Sequence, residues 1–121
     1  MKVAVTSTGT SLDSSVDPRF GRCQYFVMVD TDTMAAAAVS NAGSEAAGGA
    51  GMRAAQIVQN EGASCVITGN VGPNAMTVLK AAGLEVRIGA VGSVKEAVDA
   101  YLGGNLKAAV EATVGSHFGL K

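Results

Sequence analysis

From Ser64 onward the chain switches regularly between two hydrophobic periods, and that alternation restricts the fold more than any other feature. SCVITG (64–69) is an unbroken apolar, β-branched run, the pattern of a buried strand. VGPNAMTVLKAAG follows, with Met76 and Leu79 on one helical stripe. Pro73 sits in the first turn, where its missing N–H costs little, and Gly83 is a fitting stop. LEVRIGAV (84–91) is again a strand. SVKEAVDAYLGG begins with Ser93 and Glu96, an S-x-x-E capping box. Val94, Ala97, Val98, Tyr101 and Leu102 supply its apolar face, and Gly103 closes it. This order predicts parallel strands joined by right-handed crossovers, an α/β fold. In such sheets ligands bind beyond the carboxyl ends of the strands.

The first half is less regular. KVAVT (2–6) and YFVMVD (25–30) read as strands, separated by the turn-rich stretch STGTSLDSSVDPRFGR. MAAAAVSN (34–41) is ambiguous, because alanines favour helix. The short turn Thr31–Thr33 before it, and the run ending in Val39, Ser40 and Asn41, favour an antiparallel partner of the second strand; a helix is the alternative. Gly48, Gly49 and Gly51 open a flexible loop, 42–51, expected to become ordered with ligand. Met52, Ala55 and Val58, with Ile57 beside them, then share a helical face, and Gly62 stops it. The order is β-β-β-α-β-α-β-α, with a tail from Asn105 expected to be partly mobile.

Composition bounds the function. A chain of 121 residues is the size of one domain, and 48% apolar residues can fill its core. A net charge of −1 argues against a general nucleic-acid binder. No apolar run reaches the roughly 20 residues of a membrane span, and MKVAVTSTG lacks the apolar core of a signal peptide. Two cysteines make neither a zinc set nor a disulfide scaffold. The expectation is a soluble cytoplasmic protein with free thiols, and a monomer. A catalytic set is not visible. His117 is the sole histidine and lies in the tail; the first strand offers no carboxylate for two-metal chemistry; there is no G-x-x-x-x-G-K. The sequence leans against an enzyme.

The segments at the carboxyl ends of the strands are Ser7–Leu12, Gly69–Asn74 and Ala90–Ser93. If the second strand runs antiparallel to the first, Arg22 and Cys23 lie at that edge too. GGAGMRAA ends as G-x-G-x-x-A (Gly49, Gly51, Ala54), but no strand precedes it directly and CVITGN lacks the acid that a dinucleotide needs. What survives is a helix start that can hold an anion, with Arg53 in its first turn; a flexible loop with one solvated arginine is the plainer reading. GNVGPN (69–74) repeats the device, or is an ordinary turn. Cys65 reads as core. Cys23 follows Arg22, where positive charge would favour thiolate and a ligand role. Asp17-Pro18 could simply set the turn. Phe20, Phe26, Met52 and Met76 read as core, although Met52 stands at a helix start and so joins the candidate set. The expected pocket comprises Ser7–Thr10 (Ser7 and Thr8 foremost), Arg19–Cys23 (Arg19, Arg22, Cys23), Gly48–Arg53 (Gly49, Gly51, Met52, Arg53) and Gly69–Asn74 (Gly69, Asn70, Gly72, Asn74).

The blocks KVAVTS, DPRFGRCQYFVMVD, GGAGMRAAQ, VITGNVGPNAMTVLKAAGLEV and GSVKEAVDAYLGGNL, in that order over residues 1–110, resemble the dinitrogenase iron–molybdenum cofactor-binding family. These are small nitrogenase-accessory proteins and their relatives in anaerobes, including orange proteins that carry a molybdenum–copper sulfide cluster. The resemblance implies a ribonuclease-H-like three-layer fold over 1–110, with a five-stranded mixed sheet of order 3-2-1-4-5, helices on both faces and a tail of 111–121. It implies binding or carrying an anionic metal–sulfur cluster, of molybdenum–copper sulfide or iron–molybdenum type, without catalysis. Arg19 and Arg22 would be counter-charges and Cys23 a soft ligand suited to copper or iron. The nitrogenase branch often has histidine just before its F-G pair, where this chain has Arg19, which favours the orange-protein-like branch. A single cysteine near the site favours electrostatic holding over thiolate ligation. Two other classes stay open: a module for a small anionic metabolite, and an interaction protein working with a neighbouring ATPase or cluster-receiving protein.

Overall fold

The computed structural model describes residues 1–42 and 49–114. Its elements are β1 (Lys2–Ser7), β2 (Tyr25–Asp30), β3 (Ala36–Ser40), α1 (Ala50–Asn60), β4 (Cys65–Ile67), α2 (Pro73–Ala81), β5 (Glu85–Ile88), α3 (Val94–Leu102) and β6 (Lys107–Ala108). They form an α/β fold around one mixed sheet of order β3-β2-β1-β4-β5-β6. β1, β4 and β5 are parallel, with Val3 opposite Cys65 and Cys65 opposite Glu85. The five expected strands are all present, in the expected order. A sixth is added: β6 pairs antiparallel with β5, Arg87 against Ala108 and Ile88 against Lys107. No sequence pattern announces it, because two exposed residues carry no period. Their partner strand supplies the hydrogen bonds.

MAAAAVSN resolves as strand. β3 runs antiparallel to β2, with Tyr25 opposite Ser40 and Val29 opposite Ala36. A tight turn reverses the chain, held by the Met34 N–H on Asp30 O (2.7 Å) and the Asp30 N–H on Ala35 O (2.9 Å). Pairing with β2 thus overrides the helix propensity of alanine.

The strands alternate sides with period two, and each side has its own core. Ala4, Phe26, Met28 and Val66 face α1 and α2, where Ala54, Ala55, Val58, Met76 and Leu79 meet them. Val3, Val5, Val27, Val29, Cys65 and Ile67 face α3, through Val94, Ala97 and Val98. Small side chains let α1 approach closely. The expected α1 stripe needs one correction: Met52 is 44% exposed, while Ala50 and Ala54 take the buried positions of the first turns. Beyond the last turn of α1, Gly62 (φ 81°) takes the left-handed conformation that stops the helix, as expected.

Candidate functional site

The carboxyl edge of the sheet is built by short polar turns. At the end of β1, the Thr6 Oγ1 hydroxyl donates to Asp17 O at 2.6 Å and lies 2.9 Å from Thr68 Oγ1. The Asp17 N–H returns a bond to Thr6 O at 2.9 Å. This stitch lays the following segment across the ends of β1 and β4. There it pairs with the turn after β4, Arg19 beside Asn70, through the Asn70 N–H on Pro18 O (2.8 Å) and the Phe20 N–H on Asn70 O (3.4 Å).

Glycines permit this packing at three points. A Cβ on Gly69 would lie 2.7 Å from Pro18 Cα and 3.0 Å from Pro18 O. A Cβ on Gly21 would lie 3.0 Å from Gly51 N, and one on Gly51 would lie 3.1 Å from Ala75 Cβ. The 18–23 segment, the start of α1 and the start of α2 therefore touch backbone to backbone. Of the candidate residues, Arg19, Gly51, Gly69 and Asn70 are brought together here. Gly21, inside the expected Arg19–Cys23 segment but not singled out in it, belongs with them; its place directly before Arg22 in F-G-R was the available signal.

Both helix starts at this junction lack side-chain caps. The N-cap of α1 is Gly49 (φ 75°) and that of α2 is Gly72, and neither helix start receives a side-chain hydrogen bond. Among the described residues no acceptor takes the N–H groups of Ala50, Gly51 and Met52. Helix dipole and unpaired donors together make such a place favourable for an anion. Met52, Pro73 and Asn74 are exposed beside it.

Arg19 is ion-paired. Its Nε donates to Asp17 Oδ1 and its Nη2 to Asp17 Oδ2, each at 3.2 Å, while its backbone N–H reaches Oδ1 at 2.9 Å. The hydrogen bond to Asp17 raises the Arg19 pKa further above its ordinary value. Arg22 is half-buried on the same segment. Arg53 is exposed and lines a groove along α1 with Ala42, Gln56, Ile57 and Asn60.

Two expectations need correcting here. Cys23 does not sit as a thiolate on a loop edge. It is fully buried, its Sγ donates to Phe20 O at 3.3 Å, and burial, reinforced by the charge of Asp17, pushes its pKa up to about 12. The arginines that were to draw out the thiolate are outweighed by desolvation. Asn41, also buried, locks this segment by donating to Cys23 O (2.8 Å) and Gly21 O (3.2 Å). The second correction concerns the turn after β1. Ser7 is buried and its hydroxyl donates to Gly9 O at 2.9 Å. The Thr8 N–H donates to Ser15 O, and the turn then runs to α3, whose Val94 and Lys95 N–H groups it accepts on Ser14 O and Leu12 O.

The tail contributes as far as Val114. The Thr113 N–H donates to Val71 O at 2.8 Å and Thr113 Oγ1 accepts from the Val71 N–H at 2.9 Å, next to Gly72. Gly48 and most of the expected mobile loop 42–51 lie outside the described residues, as does His117. Among the described residues no three His, Cys, Asp or Glu side chains are grouped to hold a metal ion, and no helix is long and apolar enough to cross a membrane.

A model of the dinitrogenase iron–molybdenum cofactor family matches residues 1–104, and the chain belongs to that family. The apo form of the orange protein from Desulfovibrio gigas is 43% identical, with a TM-score of 0.90 over 93% of this chain and 96% of that one. A NifB-like protein from Thermotoga is 37% identical, with a TM-score of 0.81 over 93% and 97% of the two chains. An uncharacterised protein of Methanocaldococcus jannaschii is 27% identical over 111 residues, 88% of this chain and 94% of its own length.

Proposed function

We propose that this protein binds and carries an anionic metal–sulfur cluster of molybdenum–copper sulfide type, without catalysing a reaction. The observation that carries the reading is the junction of two uncapped helix starts with the segment bearing Arg19 and Arg22. Family membership supports a role related to iron–molybdenum cofactor binding. Arginine at position 19, and the 43% identity to the orange protein, support the molybdenum–copper form. The residues fit a preassembled anion held by backbone N–H groups and guanidinium. They do not fit a metal bound through Cys23, whose thiol is neutral and buried.

The test is a titration of tetrathiomolybdate with copper(I) into air-free protein, followed by visible absorbance. Charge-assisted hydrogen bonds are worth about 1.5–3 kcal/mol each. Arg22→Ala should therefore weaken binding about tenfold or more, and added salt should weaken the native protein's binding. Cys23→Ser should change affinity little. Loss of binding with Cys23→Ser, and none with Arg22→Ala, would replace this reading with thiolate ligation.

A further inference from the structure

Asp17 does more than its turn requires. Its Oδ1 accepts the Arg19 backbone N–H at 2.9 Å, the bond that closes a turn of this kind. An asparagine oxygen would serve there equally. Its other oxygen, Oδ2, bonds the Arg19 Nη2 at 3.2 Å, and Oδ1 also takes Nε at 3.2 Å. The Asp17 side chain is only 5% exposed, and a buried carboxylate is costly unless fully partnered. Its backbone cannot drift, since the stitch to Thr6 fixes both its N–H and its C=O. The Arg19 side chain, by contrast, is 41% exposed and within reach of a ligand.

We propose that Asp17 is a positioning residue for anion capture: anchored and buried, it grips the Arg19 guanidinium side-on and leaves the Nη1 edge of the fork open for an oxo- or thio-anion. This rests on the cluster-binding reading above. Among the described residues Nη1 has no partner. The fork is rigid and planar, so fixing Nε and Nη2 fixes the remaining N–H directions as well. A ligand then meets a side chain whose rotamers are already restricted, and less ordering is lost on binding. The Asp17–Arg19 pair is electrically neutral. Its contribution is therefore a fixed donor direction, which selects for the shape of the anion rather than for its charge.

That separation gives the test a sign. Removing a negative charge beside an anion site should tighten binding if only charge matters; if Asp17 positions Arg19, binding should weaken. The probe is tetrathiomolybdate with copper(I), titrated into Asp17→Asn, Arg19→Ala and the double variant, with folding checked by circular dichroism. Asp17→Asn should weaken binding about fivefold, Arg19→Ala by at least as much, and the double variant no further than Arg19→Ala alone. Unchanged or tighter binding by Asp17→Asn overturns the proposal. So do additive effects in the double variant. If Asp17→Asn fails to fold, Asp17→Glu keeps the charge but displaces the fork, and unchanged affinity in that variant overturns the proposal equally. The Arg19 Nε–H resonance should exchange slowly in the native protein and rapidly in Asp17→Asn; rapid exchange in both also overturns it. A native protein that ignores the probe while its Arg19 Nε–H stays protected would sink the cluster reading and leave the grip on Arg19 standing.

Discussion

The N-terminus of α3 and those of α1 and α2 solve the same physical problem in opposite ways. At α3 the free N–H groups are all consumed. Val94 donates to Ser14 O, Lys95 to Leu12 O and Glu96 to Ser93 Oγ (3.1 Å), while Glu96 Oε1 returns to the Ser93 N–H (2.9 Å). At α1 and α2 the N-caps are glycines and no side chain caps either helix. A helix start closed by its own residues has nothing left to offer an anion. One left open offers its donors and its dipole to whatever binds. The turn after β1 supplies the acceptors that close α3, Ser14 O and Leu12 O.

The sharpest way to break this comparison is to separate the open starts from the segment packed on them. Gly69→Ala puts a Cβ against Pro18 backbone, where no flexible side chain can yield. We expect a loss of about 1–3 kcal/mol in urea unfolding, typical of overpacking, together with weakened cluster binding. Full stability and affinity in this variant would show that the strap at 18–20 is dispensable.

A second effect probes the layer beneath the open starts. The folded pKa of Cys23 is raised to about 12 from an ordinary 9.0, chiefly by burial. Its neutral thiol therefore contributes stability that is whole below the unfolded value and is lost as pH climbs towards the folded one. Stability should fall between pH 8 and pH 10 by roughly 1 kcal/mol from this group, and Cys23→Ala should remove that part of the fall. Equal falls in both proteins, measured by denaturant titration, would show that the thiol is not so buried.

The smallest effects compare the helix starts themselves. Ser93→Ala should cost about 1 kcal/mol of stability and leave cluster affinity unchanged, since that end binds nothing. Gly72→Ser, which supplies a hydroxyl at an extended N-cap, should shift stability by only a few tenths of a kcal/mol. It should weaken cluster binding about two- to fivefold by competing for the α2 donors. Reversed outcomes, with Ser93→Ala affecting affinity and Gly72→Ser not, would move the site to the other face of the sheet.

The site was legible where its chemistry is local. Pro73 in the first turn of α2 and the Ser93–Glu96 pair at α3 act on their own neighbours, and each is found where its spacing put it. Cys23 was misjudged because the state of its thiol depends on burial, which the local run of residues does not show. The F-G-R-C run looks like a charged loop edge until Phe20 and Phe26, with ring centroids 5.7 Å apart, are seen to pack beside the cysteine in one core. Asp17-Pro18 is the turn former it looks like, its Oδ1 taking the Arg19 N–H, and only the burial of its carboxylate left no local sign.

By itself, the sequence determined the alternation of strands and helices, the closed cap of α3 and the family. Each follows from period, capping chemistry or the order of motif blocks. Only the tertiary structure decided that a sixth strand completes the sheet, that the β1 turn serves α3, that Cys23 is a neutral core thiol and that Gly21 meets Gly51. The reason is that pairing partners, desolvation and backbone approach are set by segments brought together across the sheet edge, and none of these leaves a local pattern in the chain.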